Sequence, residues 1–248
     1  MRIPVIAGNW KMNKTIREGR LFIDEITSSI EGTDVVVMLF VPYTLLAPLK
    51  THAEGTRIVI GAQNMHQENS GAFTGEISHE MLREIGIETT LIGHSERRQF
   101  FGETDATVNL KLKKAVETGF TAVVCVGENL EEREAQREKQ VVKDQLVKAF
   151  EGIRPEGLKR VIVAYEPVWA IGTGKTATSQ EANTMIAFIR NQIKDLYSEE
   201  ISEQIRILYG GSIKPGNIEE LMDMEDIDGG LVGGASLEAD SFIQLVNF

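Results

Sequence analysis

Short apolar runs, rich in Val, Ile and Leu, recur along the chain at 4–8, 35–41, 57–61, 89–93, 121–126, 160–165, 206–209 and 228–232. Within each run the apolar character is nearly continuous. A strand with one wet face alternates apolar and polar residues, whereas a parallel strand covered on both faces reads as an unbroken hydrophobic run. Between the runs, apolar residues return at helical spacing. The clearest case is 131–150, where Val141, Val142, Leu146 and Phe150 stand against a charged face; a second is 179–197. Ser78 and Ser179 are the expected helix caps. The pattern predicts eight βα units with a mean spacing of about 31 residues, which suits a (β/α)8 barrel of roughly 250 residues. A doubly wound open sheet is the alternative arrangement.

No Pro/Gly/Ser-rich linker or low-complexity tract interrupts the series, so one α/β domain over 1–248 is expected. The segment 63–77 stands out: it is polar apart from Met65, Ala72 and Phe73, and is far longer than the roughly 2–6 residues usual between a strand and a helix. Docking on a partner and local packing both fit such a loop.

Charge narrows the function classes. A net charge of −11 argues against nucleic acid and against an anionic membrane, since either calls for a basic face. An anionic ligand would have to be held locally. The single cysteine, Cys125, excludes an intrachain disulfide and a multi-cysteine metal site, and suits a reducing compartment. No apolar run reaches membrane-spanning length, so a soluble cytoplasmic protein is expected. His52, His66 and His79 lack metal-ligand spacing, and no metal is expected.

The unusual polar and glycine-rich segments come just after the apolar runs, where a parallel barrel gathers its ligand-binding loops. Asn9-Trp10-Lys11 follows the first run and His94-Ser95-Glu96-Arg97-Arg98 the fourth. Cys125-Val126-Gly127-Glu128 ends the fifth, Glu166 follows the sixth, Gly210-Gly211-Ser212 the seventh and Gly233-Gly234 the eighth. Glu166 alone would read as a surface carboxylate, but Pro167 fixes the backbone after it. Gly172 and Gly174 supply permissive dihedrals at the far end of a segment carrying Val168, Trp169 and Ile171, which reads as a lid. The paired glycines Gly210-Gly211 and Gly233-Gly234 let backbone N–H groups approach phosphate oxygens, and Ala235-Ser236-Leu237 could open a short helix aimed at the anion. Cys125 reads as a small buried hydrophobe, and Arg97 and Arg98 as structural ion-pair partners.

Five segments carry a resemblance that spans the chain: Ala7-Gly8-Asn9-Trp10-Lys11-Met12-Asn13; Ile92-Gly93-His94-Ser95-Glu96-Arg97-Arg98; Ala164-Tyr165-Glu166-Pro167-Val168-Trp169-Ala170-Ile171-Gly172-Thr173-Gly174; Tyr209-Gly210-Gly211-Ser212; and Leu231-Val232-Gly233-Gly234-Ala235-Ser236-Leu237. Together they resemble the triosephosphate isomerase family. The resemblance implies a TIM barrel that interconverts dihydroxyacetone phosphate and D-glyceraldehyde 3-phosphate through an enediol(ate), in glycolysis and gluconeogenesis, without metal or other cofactor. It implies Glu166 as base and His94 as electrophile. That imidazole would be kept neutral by the helical turn that Ser95 begins, a point for which this family is a standard illustration. It further implies Lys11 and Asn9 as catalytic and substrate-binding residues, with Gly172, Ser212, Gly233 and Gly234 also binding substrate. Glu96 would hold Lys11, and Cys125 would help to position the base. The 63–77 loop would join two subunits as a C2 homodimer, with Thr74 at the contact.

Two other readings fail on spacing. Gly172-Thr173-Gly174-Lys175-Thr176 resembles the tail of a P-loop, but Trp169 stands where that motif requires glycine. A dinucleotide fingerprint is half met by Gly172-x-Gly174-x-x-Ala177, yet its glycines arrive several residues after the strand.

Overall fold

The computed structural model describes residues 2–170 and 177–248. Eight parallel strands close into a barrel in chain order: β1 Val5–Asn9, β2 Val36–Val41, β3 Ile58–Ala62, β4 Thr89–Ile92, β5 Thr121–Val126, β6 Val161–Tyr165, β7 Arg206–Tyr209 and β8 Gly229–Val232. Closure is made by β8 against β1, with Val5 opposite Gly229 and Gly8 opposite Val232. Each strand lies within a residue or so of its apolar run, and the open-sheet alternative is excluded.

The continuous apolar runs have a direct cause. Along β5, Val123 and Cys125 point into the barrel, beside Ala7, Phe40, Leu91, Ile162, Ala164 and Leu208. Their neighbours Ala122, Val124 and Val126 point outward, into a larger core shared with the helices. Both sides of the pleat are therefore dry, and neither tolerates a polar alternation. The interior is packed to contact: a Cβ added at Gly61 would stand 2.7 Å from the Phe40 ring, so the missing side chain is the space that Phe40 fills.

Two helical expectations need correction. The stretch 131–150 is not one helix but two, Leu130–Glu134 and Glu138–Phe150, separated by Gln136 in the left-handed region at φ 55°. The charged residues 131–134 offer nothing apolar to bury. Asn129 caps the first helix through a capping box with Glu132, while the buried stripe of the second is Val142, Leu146, Ala149 and Phe150. The other correction concerns Ser179–Leu196, whose cap is Thr178 rather than Ser179. The Thr178 hydroxyl accepts from Glu181 N at 3.1 Å, and the Glu181 carboxylate accepts from Thr178 N at 2.9 Å. Ser179 lies in the first turn and instead hydrogen-bonds Glu220. Ser78 does cap His79–Glu84.

The 63–77 segment contains neither helix nor strand. Its ends are pinned by His66 N donating to Ile77 O at 2.9 Å, and Met65 is fully buried in the core. Phe73 stacks on His66 with ring centroids 4.3 Å apart and stays 44% exposed. Among the described residues, no helix is long and apolar enough to cross a membrane, and no group of three or more His, Cys, Asp or Glu is placed to hold a metal ion.

Removing the Thr178 cap should cost about 1 kcal/mol of stability. Thr178→Ala is expected to lower the urea midpoint at fixed protein concentration by the corresponding amount, and Thr178→Ser to restore it.

Candidate active site

The carboxyl ends of the strands converge on a cavity of about 290 Å³ whose wall includes Asn9, Lys11, His94, Glu166, Ser212 and Gly233. Parallel strands all deliver their following residues to the same face, which is why segments more than two hundred residues apart meet there.

Asn9 is the last residue of β1. Its side-chain Oδ1 accepts from Lys11 N at 3.0 Å, which supports a lysine backbone in the left-handed region at φ 52°. That conformation costs a non-glycine residue roughly 1–2 kcal/mol. A second support comes from Gln63, just past β3, whose Nε2 donates to Lys11 O at 2.9 Å. Bent in this way, Lys11 sends its ammonium to Glu96 Oε1 at 2.6 Å. Gly233 lies beneath it, where an added Cβ would stand 3.5 Å from Lys11 Cε, an ordinary packing distance.

His94 caps the helix Ser95–Phe100, its Nδ1 accepting from Glu96 N at 3.2 Å. An imidazole nitrogen that accepts carries no proton, so the ring proton sits on Nε2, 3.0 Å from Glu166 Oε1. The other Glu166 oxygen accepts from Ser95 N at 2.9 Å. Glu166 itself is only 2% exposed. Burial raises its pKa, but the His94 contact, the Ser95 N–H and the Lys11 charge outweigh burial and hold it below the usual carboxylate value.

For His94 the balance is different. Burial at the mouth disfavours the imidazolium, yet the charge and hydrogen bond of Glu166 prevail and raise the His94 pKa while the two side chains touch. This qualifies the expectation of a simply neutral ring. The helix start and the Nδ1 contact favour neutrality, and the carboxylate opposes it for as long as it remains in contact.

Two glycines give Glu166 its space. A Cβ at Gly127 would fall 1.7 Å from Glu166 O, and one at Gly210 would fall 2.9 Å from Glu166 Cγ. Cys125 is fully buried inside the barrel, and burial followed by the nearby Glu166 charge pushes its thiol pKa well up. Gly211, Ser212, Gly233 and Gly234 also line the cavity, and a single 3-10 turn, Gly234–Ser236, follows β8. Gly172 and Gly174, expected in the lid, lie outside the described residues, as do Ile171 and the P-loop-like Lys175. Arg97 pairs with Glu103 at 3.0 Å, and Arg98 pairs with Asp105 while donating to Gly93 O at 2.8 Å, which matches structural ion-pair roles.

Sequence reading missed several supports. Gln63 holds Lys11, and Glu128, buried after β5, accepts from Tyr165 OH at 3.1 Å and Trp169 Nε1 at 2.8 Å. Position after a strand marked Glu128, but its partners could not be read from spacing. Glu103, which joins Arg97 to the buried Lys111 at 2.7 Å, carries no local signal at all.

The family model of triosephosphate isomerase matches residues 4–248. The triosephosphate isomerase of Alkaliphilus metalliredigens is 57% identical over 248 residues, covering all of both chains. Those of Alkaliphilus oremlandii and Clostridium botulinum are 52% and 47% identical, again over the full length of both chains.

The geometry predicts that Glu166 remains ionised as pH falls through the ordinary carboxylate value of 4.5. A carboxyl-carbon NMR titration should place its midpoint below that value. In His94→Gln the midpoint should move up, because the largest compensation for burial is gone.

Proposed function

The chain belongs to the triosephosphate isomerase family, and on that footing we propose that it interconverts dihydroxyacetone phosphate and D-glyceraldehyde 3-phosphate through an enediol(ate), with Glu166 as base and His94 as electrophile. The observation that carries the proposal is the buried contact between Glu166 and His94 at the edge of a cavity that Lys11 and the glycine pairs also line.

Both Glu166 oxygens are engaged, one by His94 Nε2 and one by Ser95 N. To take a carbon-bound proton, the carboxylate has to turn from these two donors into the cavity that Glu166 lines. Turning does two things at once. It presents a carboxylate oxygen to C1 of the ketose, and it frees His94 Nε2–H to donate to the carbonyl oxygen at C2. The support that Glu166 gave to an imidazolium then disappears, so burial and the Glu96 N–H leave the ring neutral and able to donate.

Proton transfer from C1 to Glu166 creates an enediolate whose charge collects at O2. His94 Nε2–H stabilises it, with the Lys11 ammonium nearby; a cation 4 Å from such an anion contributes about 4 kcal/mol at an effective dielectric of 20. His94 Nε2 gives its proton to O2 and takes the O1 hydroxyl proton in its place, while Glu166 returns its proton to C2, so the aldose carries every proton of the ketose, both side chains are restored and no electron acceptor is needed. Asn9 contributes by shaping Lys11 and by facing the same cavity. Ser212, Gly233 and Gly234 are the proposed phosphate cradle, with Gly172 as a further proposed contact. Glu96 anchors Lys11 between turnovers, and the Cys125 thiol flanks the base.

We also propose that residues 1–248 act as one domain, that the protein is cytoplasmic, and that it forms a C2 homodimer through the 63–77 loop. The exposed Phe73, stacked on His66 in a loop pinned at its base, supports the dimer.

A coupled assay in chelator, without added cofactor, should give turnover for the wild-type protein. Glu166→Ala should lose on the order of 10²–10⁴-fold in kcat while keeping the wild-type circular dichroism spectrum. Sedimentation velocity at micromolar concentration should return twice the chain mass, and a single-chain mass would refute the dimer.

A further inference from the structure

We propose that Gln145 is a positioning residue for the base and acts through Gly127, an inference that rests on the assignment of Glu166 as base. Gln145 lies in the helix Glu138–Phe150; it does not line the mouth cavity but shares the wall of a second one with Gly127 and the back of Glu166. Its Oε1 accepts from Gly127 N at 2.8 Å, and its Nε2 donates to Gly127 O at 3.1 Å. One amide thus clasps both polar groups of one main-chain residue. Two roughly parallel bonds to the same residue oppose its rotation as well as its displacement.

Gly127 is worth clasping because of what rests on it. β5 ends at Val126, and Gly127 is the first residue beyond the strand, where Gln145 takes the place of a ladder partner. The clash that an added Cβ would make with Glu166 O and C, at 1.7 and 2.6 Å, places the bare Gly127 Cα directly against the Glu166 peptide. The main-chain bonds on either side, Glu166 N to Val126 O at 2.8 Å and Val168 N to Glu128 O at 3.0 Å, straddle the same point. Gly127 thus packs against the Glu166 peptide between two main-chain bonds, and Gln145 holds Gly127 in that contact. A base misplaced by an ångström loses on the order of 10²-fold in rate, whereas the phosphate-binding wall is built from other strands and should not move.

The test compares Gln145→Leu and Gln145→Glu in the coupled assay, in the wild-type and Glu166→Asp backgrounds. Gln145→Leu should lower kcat by about 10- to 100-fold, with KM and the inhibition constant of inorganic phosphate within about twofold of wild type. In Glu166→Asp, where the carboxylate is already withdrawn by a methylene, the same substitution should cost less than about threefold, because two changes acting through one group are not additive. Gln145→Glu keeps the acceptor for Gly127 N–H and loses the donor to its carbonyl, so its kcat should fall between those of wild type and Gln145→Leu. A Gln145→Leu kcat within about twofold of wild type, or an equal loss in both backgrounds, would overturn the inference. If Gln145→Leu does not fold, Gln145→Glu decides: a loss of about threefold or more in kcat at unchanged KM supports the role, and wild-type kcat overturns it. A wild-type protein without isomerase activity would instead remove the assignment of Glu166 as base, and the inference with it.

Discussion

A carboxylate kept ionised while almost wholly out of water is the constraint around which this structure is arranged. Left alone, Glu166 would take up a proton, since desolvation of a charged carboxyl costs several kcal/mol even after relaxation. Three compensations hold it charged: an imidazole, a backbone N–H at a helix start, and a lysine ammonium at longer range. None is adjacent to it in sequence. The first two come from the residues after β4, and the third from those after β1. Their meeting depends on the barrel closing in chain order, so the electrostatics of one side chain rest on the register of the whole sheet.

The same dependence explains the density of close approaches around the base. Gly127 and Gly210 are bare because the Glu166 peptide and its methylene occupy the places their side chains would take. Strain is also present, in the left-handed Lys11, and it persists because Asn9, at the end of the same strand, and Gln63, just past β3, both grip that residue.

Legibility in the sequence followed the range of the forces involved. The eight strands could be read to within a residue or so because two-sided burial writes itself into every position of a short run, as in Val123, Val124, Cys125 and Val126. The helix break at Gln136 could not, since a charged stretch fits a solvated helix as well as a turn, and only the absence of anything to bury decides it. Thr178 and Ser179 are both competent caps by residue type; where the chain enters the helix selected the first. Site residues just after strands were legible by position. Gln63, Glu103, Glu128 and Gln145 were not, because each acts on a partner that only the fold brings near.

The single thiol has a consequence of another kind. Cys125 is the only cysteine in the chain, is fully enclosed by the barrel interior, and has its pKa pushed up by its surroundings, so a thiol reagent in solution has no native species to attack. Modification must wait until the strands around it part. The rate at which such a reagent consumes the protein is then a clock for opening at the carboxyl end of β5, built into the chain without a label.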